Sequence, residues 1–376
     1  MIALRQLLVA SFVALIAFAS TTRGQVAPRQ WPPTFQFVQV VPNVYAAIEP
    51  QNSTGLVHGN TVFVINDSDV FVLDANHTPA AARATIAQLR EVTKKPVRTI
   101  MYSHWHNDHN LGASAFADAY PGRLRIISTD STRDDLLHKL VEVAPTRGAE
   151  YYAKRSATYD SMLASGHDLA GRPITLATPW RRVLMTDAAK AFRSYYAPAA
   201  AAPHYLLPTE TFADRMTLYD GSRELDLISL GRANTRSDGI VYLPKEQVVM
   251  TGDVLVYPVP FAPPAHTREW LTALHTLKAL GAKHIVPGHG PVMHDYAYVD
   301  LLTATLTAII DQATKGATDG LSLDDAKKRV DVEKFRLAFT HNDPVLEDDF
   351  AEFVSDVAEV TFNEAKAAST ATAAIH

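Results

Sequence analysis

Short apolar runs separated by turn residues fill the first third of the chain and predict β-strands. The predicted strands of this region are residues 35–41, 44–48, 61–65, 70–73, 97–102 and 123–128. The runs at 61–65 and 70–73 lack polar alternation, which is typical of strands covered on both faces. Residues 66–69 between them are turn formers, and Asp74 ends the second run.

Helical spacing appears between and after these strands. Thr78 suits an N-cap and Pro79 suits the first helical position, so a helix should begin there and stop before Pro96. Further predicted helices are residues 109–120, 267–280, 300–315 and 344–367. Further predicted strands are residues 216–219, 224–230, 239–243, 247–250 and 283–286. This mixture predicts an α+β fold.

Two segments differ from the rest in residue composition and spacing. Residues 129–202 mix charged and aromatic positions at helical spacing, which predicts a helical insertion that forms either a lid or a dimer contact. From about 300 to 376 the chain is expected to be a helical extension. The predicted organisation is therefore one domain over 25–376, interrupted by the insertion.

The N-terminus has the layout of an export signal. Arg5 precedes an apolar run at 7–19, and the small residues Ala17 and Ala19 suit cleavage near Ser20 or Gln25. We therefore expect residues 1–24 to be a signal peptide and the mature protein to be periplasmic or secreted. The alternative is that the same run stays attached as a membrane anchor.

Composition narrows the possible chemistry. The 376 residues are 47% hydrophobic and carry a net charge of -5, which argues against a nucleic-acid partner because such proteins need a concentrated basic face. The chain contains no cysteine, so a metal would be held by His, Asp, Glu or Asn side chains. We expect a small-molecule substrate, and the sequence leaves the oligomeric state open.

A cluster of metal-ligand residues follows the predicted strand at 97–102. His104 and His106 are two positions apart and can point the same way, so they can hold one ion. Asp108 and His109 come next and suit a second ion nearby. Core filling explains three histidines and a carboxylate poorly, because a buried histidine cluster leaves donors unsatisfied.

This cluster, His104-Trp105-His106-Asn107-Asp108-His109, resembles the signature of the metallo-β-lactamase superfamily. Two later motifs agree with it, each after a predicted strand: Thr251-Gly252-Asp253 and Pro287-Gly288-His289-Gly290. The resemblance covers about 35–292, apart from the insertion. It implies a four-layer αβ/βα sandwich with metals at one edge of two sheets.

The resemblance also implies roles for single residues. His104 and His106 would belong to a first zinc ion, and Asp108, His109 and His289 to a second. Asp253 would bridge the two ions, and it would be a catalytic residue together with Asp108. A metal-bound hydroxide would then attack an amide, ester or lactone bond.

One position departs from the family pattern. Asn234 occupies the place where a third histidine ligand of the first ion is expected, and an amide oxygen binds zinc more weakly than imidazole does. In one alternative Asn234 or water completes the site, and in another a single ion is held by Asp108, His109, Asp253 and His289. In a third alternative His204 or His266 substitutes. We expect the second site to be the more secure.

Three other features have two interpretations each. Arg236 is either a substrate-carboxylate anchor or a surface ion pair. The aromatic and Pro-rich segment 257–264 either lines the pocket mouth or is a rigid connection. His77 either hydrogen-bonds near the site or begins the loop before the helix. The remaining histidines have no ligand-like context. Those histidines are His58, His138, His167, His275, His284, His294, His341 and His376.

The sequence thus supports an exported zinc-dependent hydrolase of a small molecule, with a β-lactam as one candidate substrate. The alternative is a non-catalytic or degenerate metal-binding member of the same fold. Metal content and turnover distinguish the two.

Overall fold

The computed structural model describes residues 34–49, 58–141, 149–167, 185–186, 188–190, 192–197, 205–262 and 265–373. The expected signal peptide, His204, His376 and much of the expected insertion lie outside these ranges. Within them, no helix combines the length and apolar character that crossing a bilayer requires.

The first sheet has seven strands in chain order. They are β1 (Gln36–Val41), β2 (Val44–Ile48), β3 (Thr61–Ile65), β4 (Val70–Leu73), β5 (Val97–Met101), β6 (Arg125–Thr129) and β7 (Glu210–Phe212). Strands β1 to β4 pair antiparallel, whereas β4 to β7 pair parallel. All residues of β3 and β4 are buried, which confirms that both faces of these strands are covered.

The second sheet has the order β12-β11-β10-β9-β8. Its strands are β8 (Arg215–Asp220), β9 (Arg223–Ser229), β10 (Gly239–Leu243), β11 (Val248–Met250) and β12 (His284–Val286). Strand β12 pairs parallel with β11, and the other pairs are antiparallel. Parallel neighbours bring the ends of β11 and β12 to one edge of the sheet.

Three apolar cores lie between successive layers of the fold: one between the two sheets, and one between each sheet and its helices. Phe71 and Leu73 of the first sheet pack with Leu227 and Val241 of the second. The outer face of the first sheet is covered by α1 (Pro79–Val92) and α2 (Ala113–Ala119). The outer face of the second is covered by α5 (Thr267–Ala279) and by two C-terminal helices, α6 (Ala297–Thr318) and α9 (Pro344–Ala373). The order is helix, sheet, sheet, helix, so the four-layer α+β sandwich predicted from the sequence is confirmed.

Helices follow β6 in the region of the expected insertion. They are α3 (Asp130–Leu136), a π-helical turn (Leu137–Val141) and α4 (Ala149–Ser165), with a second π-helical turn at Phe192–Tyr196. Strands β6 and β7 flank this region and are hydrogen-bonded neighbours. The region therefore emerges between adjacent strands without separating them.

The C-terminal region is helical, as the sequence predicts. The helices α7 (Leu323–Arg329) and α8 (Glu333–Thr340) lie between α6 and α9 in the chain. The long helices α6 and α9 contribute Leu302, Leu306 and Phe353 to the core above the second sheet. This extension is thus an integral part of the fourth layer.

Most predicted elements agree with the structure to within a few residues. The N-cap prediction is confirmed, because the Thr78 hydroxyl accepts a hydrogen bond from the Ala81 N–H. The helix predicted to begin at His109 is wrong at its start: a 3-10 turn occupies Asn107–His109, and α2 begins at Ala113. The short strand β7 was not predicted.

Candidate metal centre

The metal-ligand residues all follow strand ends at one edge of the sandwich. His104, His106, Asp108 and His109 follow β5 in the first sheet, while Asp253 follows β11 and His289 follows β12 in the second. Backbone hydrogen bonds join the two edges, because Gly239 N–H donates to the Ser103 carbonyl. The fold therefore brings together side chains that are far apart in the sequence.

The Asp253 carboxylate lies between two sets of histidines. Its Oδ1 atom is 3.1 Å from His109 Nε2 and 3.3 Å from His289 Nε2. Its Oδ2 atom is 3.5 Å from His104 Nε2 and 3.9 Å from His106 Nδ1. One carboxylate thus presents a separate oxygen to each set, which is the arrangement of a bridging ligand.

Asp108 completes the set on the Oδ1 side. Its Oδ2 atom is 3.1 Å from His289 Nε2 and 3.4 Å from His109 Nε2. The potential ligand atoms of Asp108, His109 and His289 all lie within 4.8 Å of one another, and so do those of His104, His109 and Asp253. Both groupings include His109, so the two candidate ion positions are adjacent.

Asp74 fixes the orientation of the His109 ring. Its Oδ2 atom is 2.7 Å from His109 Nδ1 and also accepts a hydrogen bond from the Ser103 hydroxyl at 2.8 Å. Its Oδ1 atom accepts the Ser103 N–H at 2.8 Å. A proton on Nδ1 leaves the Nε2 lone pair directed at the cluster, as a metal ligand requires. Asp74 is therefore a supporting residue of the site.

Two glycines lie so close to the cluster that a side chain at either position would collide with a ligand. A Cβ atom on Gly288 would lie 2.1 Å from Asp253 Oδ1, and one on Gly59 would lie 2.4 Å from His109 Cε1. Both contacts are well inside van der Waals distance, so larger residues at these positions would displace the ligands. The Pro-Gly-His-Gly motif therefore serves close packing as well as supplying His289.

The buried carboxylates of Asp108 and Asp253 carry negative charge that nearby positive charge must balance. Although burial raises the pKa values of Asp108 and Asp253, the facing histidines outweigh it and hold both values well below the usual range. Burial lowers the pKa of His289, but the carboxylates Asp253 and Asp108 raise it to about 9. They also hold the pKa of His109 well above its usual value despite its burial. Without a metal, protons on these histidines balance the carboxylates, and a divalent cation would replace them.

The donor set fits zinc. It consists of imidazole nitrogens and carboxylate oxygens, which are zinc ligands, in a buried pocket. Burial lowers the pKa of His104 to about 4, aided by His109, so its ring is neutral and can ligate. The buried His104 Nε2 atom finds no hydrogen-bond partner among the described residues, as expected of an atom reserved for a metal.

Asn234 is buried in the turn between β9 and β10 and is linked to the site by Phe261. Its Nδ2 group donates a hydrogen bond to the Phe261 carbonyl. This bond fixes the orientation of the amide and leaves its oxygen, Oδ1, as the atom that could accept a bond or bind a metal. In the described part of the chain this buried Oδ1 atom has no hydrogen-bond partner. The Phe261 and His106 ring centroids are 6.1 Å apart, so the residue that Asn234 contacts lies beside one of the predicted ligands of the first ion.

The secondary predictions have mixed outcomes. Arg236 forms ion pairs with Asp134 and Asp135 of α3 at 2.6 and 3.1 Å, which supports the ion-pair interpretation. The segment after Asp253 is described up to residue 262, and its Phe261 is 54% exposed beside the cluster. His77 donates its N–H to His58 Nδ1 at 3.1 Å. His266 precedes α5, with its N–H bonded to the Ala233 carbonyl.

Sequence reasoning missed Ser103 and Asp238. Ser103 supports Asp74 as described, and its Oγ is also 2.9 Å from His104 Nδ1. Asp238 is fully buried, which raises the pKa of its carboxyl group to about 7, and it interacts electrostatically with His106 and Asp253. A signal was present, because Asp238 is an acidic residue directly before the buried strand β10, whose start lies at the same edge as the ends of β9 and β11.

Comparison with known proteins identifies relatives of this arrangement. The sequence model described as "Metallo-beta-lactamase superfamily" matches residues 54–289. The linear primary-alkylsulfatase of Pseudomonas sp. (strain ATCC 19151) is 23% identical over 291 residues, which are 72% of this chain and 49% of that protein.

A solved alkylsulfatase structure has the same overall fold. The stereoselective inverting sec-alkylsulfatase from Pseudomonas sp. has a TM-score of 0.58 at 15% identity, over 88% of this chain and 50% of that one. The DIM-1 metallo-beta-lactamase has a TM-score of 0.49 at 15% identity, over 73% of this chain and 98% of that one. The chain thus spans about half the length of the two alkylsulfatases.

The support of His109 by Asp74 gives a test. In Asp74→Asn an N–H replaces an acceptor beside His109 Nδ1, so the ring should take the tautomer whose proton is on Nε2. We expect zinc affinity to fall by about 10- to 100-fold, measured by competition with a chromophoric chelator. The matched control is Asp226→Asn, since Asp226 is equally buried but bonds Arg215 and Thr217. Equal affinities in the two variants would contradict the role of Asp74.

Proposed function

This chain belongs to the metallo-β-lactamase superfamily, and from that membership and the geometry of its site we propose that it is a zinc-dependent hydrolase of a small molecule. The bond cleaved is an amide, an ester (sulfate esters included) or a lactone. The observation that carries the proposal is the position of Asp253, whose two oxygens face two separate sets of metal-ligand side chains. A structural zinc site needs one closed ligand set, not a shared carboxylate between two.

We assign each ligand to an ion according to which oxygen of Asp253 it faces. Asp108, His109 and His289, with Asp253 Oδ1, would hold the more secure zinc ion. His104 and His106, with Asp253 Oδ2 and the Asn234 Oδ1 atom, would hold the other. Bound zinc lowers the pKa of water and polarises a scissile carbonyl or ester.

The protein's own residues contribute charge and orientation. Asp108 and Asp253 are held ionised, so they keep two negative charges in a buried pocket and fix the directions of the histidine nitrogens. The backbone holds both carboxylates in position before a substrate binds. Such preorganised charge is a major source of catalytic rate in water-poor sites.

The mouth of the site favours a substrate with an apolar part. Phe261 is 54% exposed although its neighbours Pro260 and Ala262 are buried, and its ring lies beside His106. The Trp105 and His106 ring centroids are 4.7 Å apart. An alkyl sulfate ester is the first substrate to test, because two relatives are named alkylsulfatases. A β-lactam is the second, because an exported enzyme meets such compounds.

We also propose that the protein acts outside the cytoplasm. The support is the apolar run at 7–19 and the small residues before Ser20. Expression of the full chain in a bacterial host should yield a periplasmic or secreted product whose N-terminus, read by sequencing, begins between residues 20 and 26. An uncleaved product in the membrane fraction would instead indicate the anchor.

Metal content and turnover test the proposal together. Protein purified without added metal should contain one or two zinc ions by elemental analysis and should hydrolyse an alkyl sulfate, lactone, thioester or β-lactam. His289→Ala should lose most of its zinc and at least 100-fold in kcat/KM, because it loses a ligand of the more secure ion. His275→Ala is the control, since His275 is exposed on α5. Bound zinc without turnover on the whole panel would favour a non-catalytic metal-binding protein.

Phe261 provides a test of the substrate's apolar part. Phe261→Ala should raise KM by about tenfold for substrates with a long alkyl group, since contact with a phenyl ring is worth on the order of 1.5 kcal/mol. The kcat value and the zinc content should change little. Tyr219→Ala is the control, since Tyr219 is an aromatic residue that is 74% exposed on β8. A KM increase that is independent of alkyl length would contradict this role.

A further inference from the structure

A pair of histidines outside the metal centre lies across a short antiparallel ladder. Ile285 and Met293 exchange both backbone hydrogen bonds, at 2.9 and 2.8 Å, and so form a hydrogen-bonded pair. His284 and His294 are next in register and therefore form a non-hydrogen-bonded pair. Side chains approach most closely at such positions. The two imidazoles accordingly meet outside the core, with Nδ1 atoms 3.1 Å apart.

This separation suits a shared metal ion. Two nitrogens that each bind one ion at about 2.0–2.1 Å lie roughly 2.9–3.4 Å apart for bond angles between square-planar and tetrahedral values. The ring planes are nearly perpendicular, at 89°, with centroids 5.2 Å apart. We propose that His284 and His294 form a second, surface metal site for a borderline transition-metal cation such as Ni²⁺, Cu²⁺ or Zn²⁺, completed by water.

The state of the pair suits ligation at neutral pH. Burial lowers the pKa of His284, and the neighbouring His294 and Lys283 lower it further, which favours the neutral ring. A bound cation would take the place of the proton that the two Nδ1 atoms share in their hydrogen bond. His294 is exposed and His284 is half-buried, which leaves room for water ligands. This site does not depend on the hydrolase activity proposed above.

The site has a consequence for the metal centre. His289 lies midway between His284 and His294 in the chain, so the pair closes the base of the loop that carries this ligand. The tip of the same loop is held by Asn60, whose Nδ2 group donates to the carbonyls of Pro287 and Gly290. A cation at the base would tie the two strands of the loop together and oppose its local opening.

Metal-chelate chromatography tests the site directly. Untagged protein with its zinc centre filled is applied to an immobilised Ni²⁺ column and eluted with imidazole. Wild-type protein should be retained, while His284→Ala and His294→Ala should each elute at several-fold lower imidazole, because one histidine binds Ni²⁺ much more weakly than two. His275→Ala, which removes an isolated exposed histidine, should elute with wild type. Co-elution of all four proteins would overturn the proposal.

Hydrogen exchange tests the effect on the loop. Amide exchange of residues 285–293 is followed by mass spectrometry in the zinc-loaded protein, with and without Ni²⁺. Ni²⁺ should slow this exchange severalfold in wild type and leave His294→Ala unchanged. Position 294 is exposed, so this variant should fold normally, and its unchanged zinc content serves as the check. Ni²⁺ binding without slower exchange would overturn the clamping of the loop, and equal slowing in the variant would overturn the site itself.

Discussion

The hydrogen bonds of Asp74 are the constraint on which the candidate metal centre depends. This one carboxylate accepts the Ser103 N–H, the Ser103 hydroxyl and the His109 Nδ1 proton, and so connects the end of β4 to the segment after β5. His109 in turn faces both Asp253 and His289. Rotation of its ring would remove the ligand common to both groupings of the site. The direction of a single imidazole therefore depends on Asp74, which lies outside both groups of candidate metal ligands.

The remaining ligands depend on how closely the two sheets meet. Asp253 and His289 belong to the second sheet, and Gly288 allows the backbone of one strand end to lie against the carboxylate of the other. The shared core between the sheets, with Phe71 and Leu227 among its members, fixes this approach. The site is thus assembled by burial of apolar side chains between the two sheets and by a glycine, Gly288, that allows close approach at their edge.

Local features were predictable from the residues themselves, whereas long-range ones were predictable only where the family resemblance indicated them, as for Asp253 and His289. The Thr78 cap and the spacing of His104, His106, Asp108 and His109 depend on a few consecutive residues, so the pattern reveals them. The strand β7 is only three residues long and exists through pairing with β6 across the whole insertion. Likewise, the bond from Asn234 to the Phe261 carbonyl joins two loops that no periodicity relates. The family resemblance indicated that Asn234 was unusual, but only the fold shows what its amide contacts.

The pairing of β6 with β7 leaves the first sheet continuous although a long helical region lies between these two strands in the chain. The first of the helices in this region, α3, is held by ion pairs from Arg236 to Asp134 and Asp135 and by the burial of Leu136 in the core of the first sheet. The hydrogen bonds between β6 and β7 are therefore made without any contribution from the residues that lie between α3 and β7 in the chain. We expect those residues to tolerate changes in length for this reason, because the sheet that carries His104 to His109 is continuous on both sides of them.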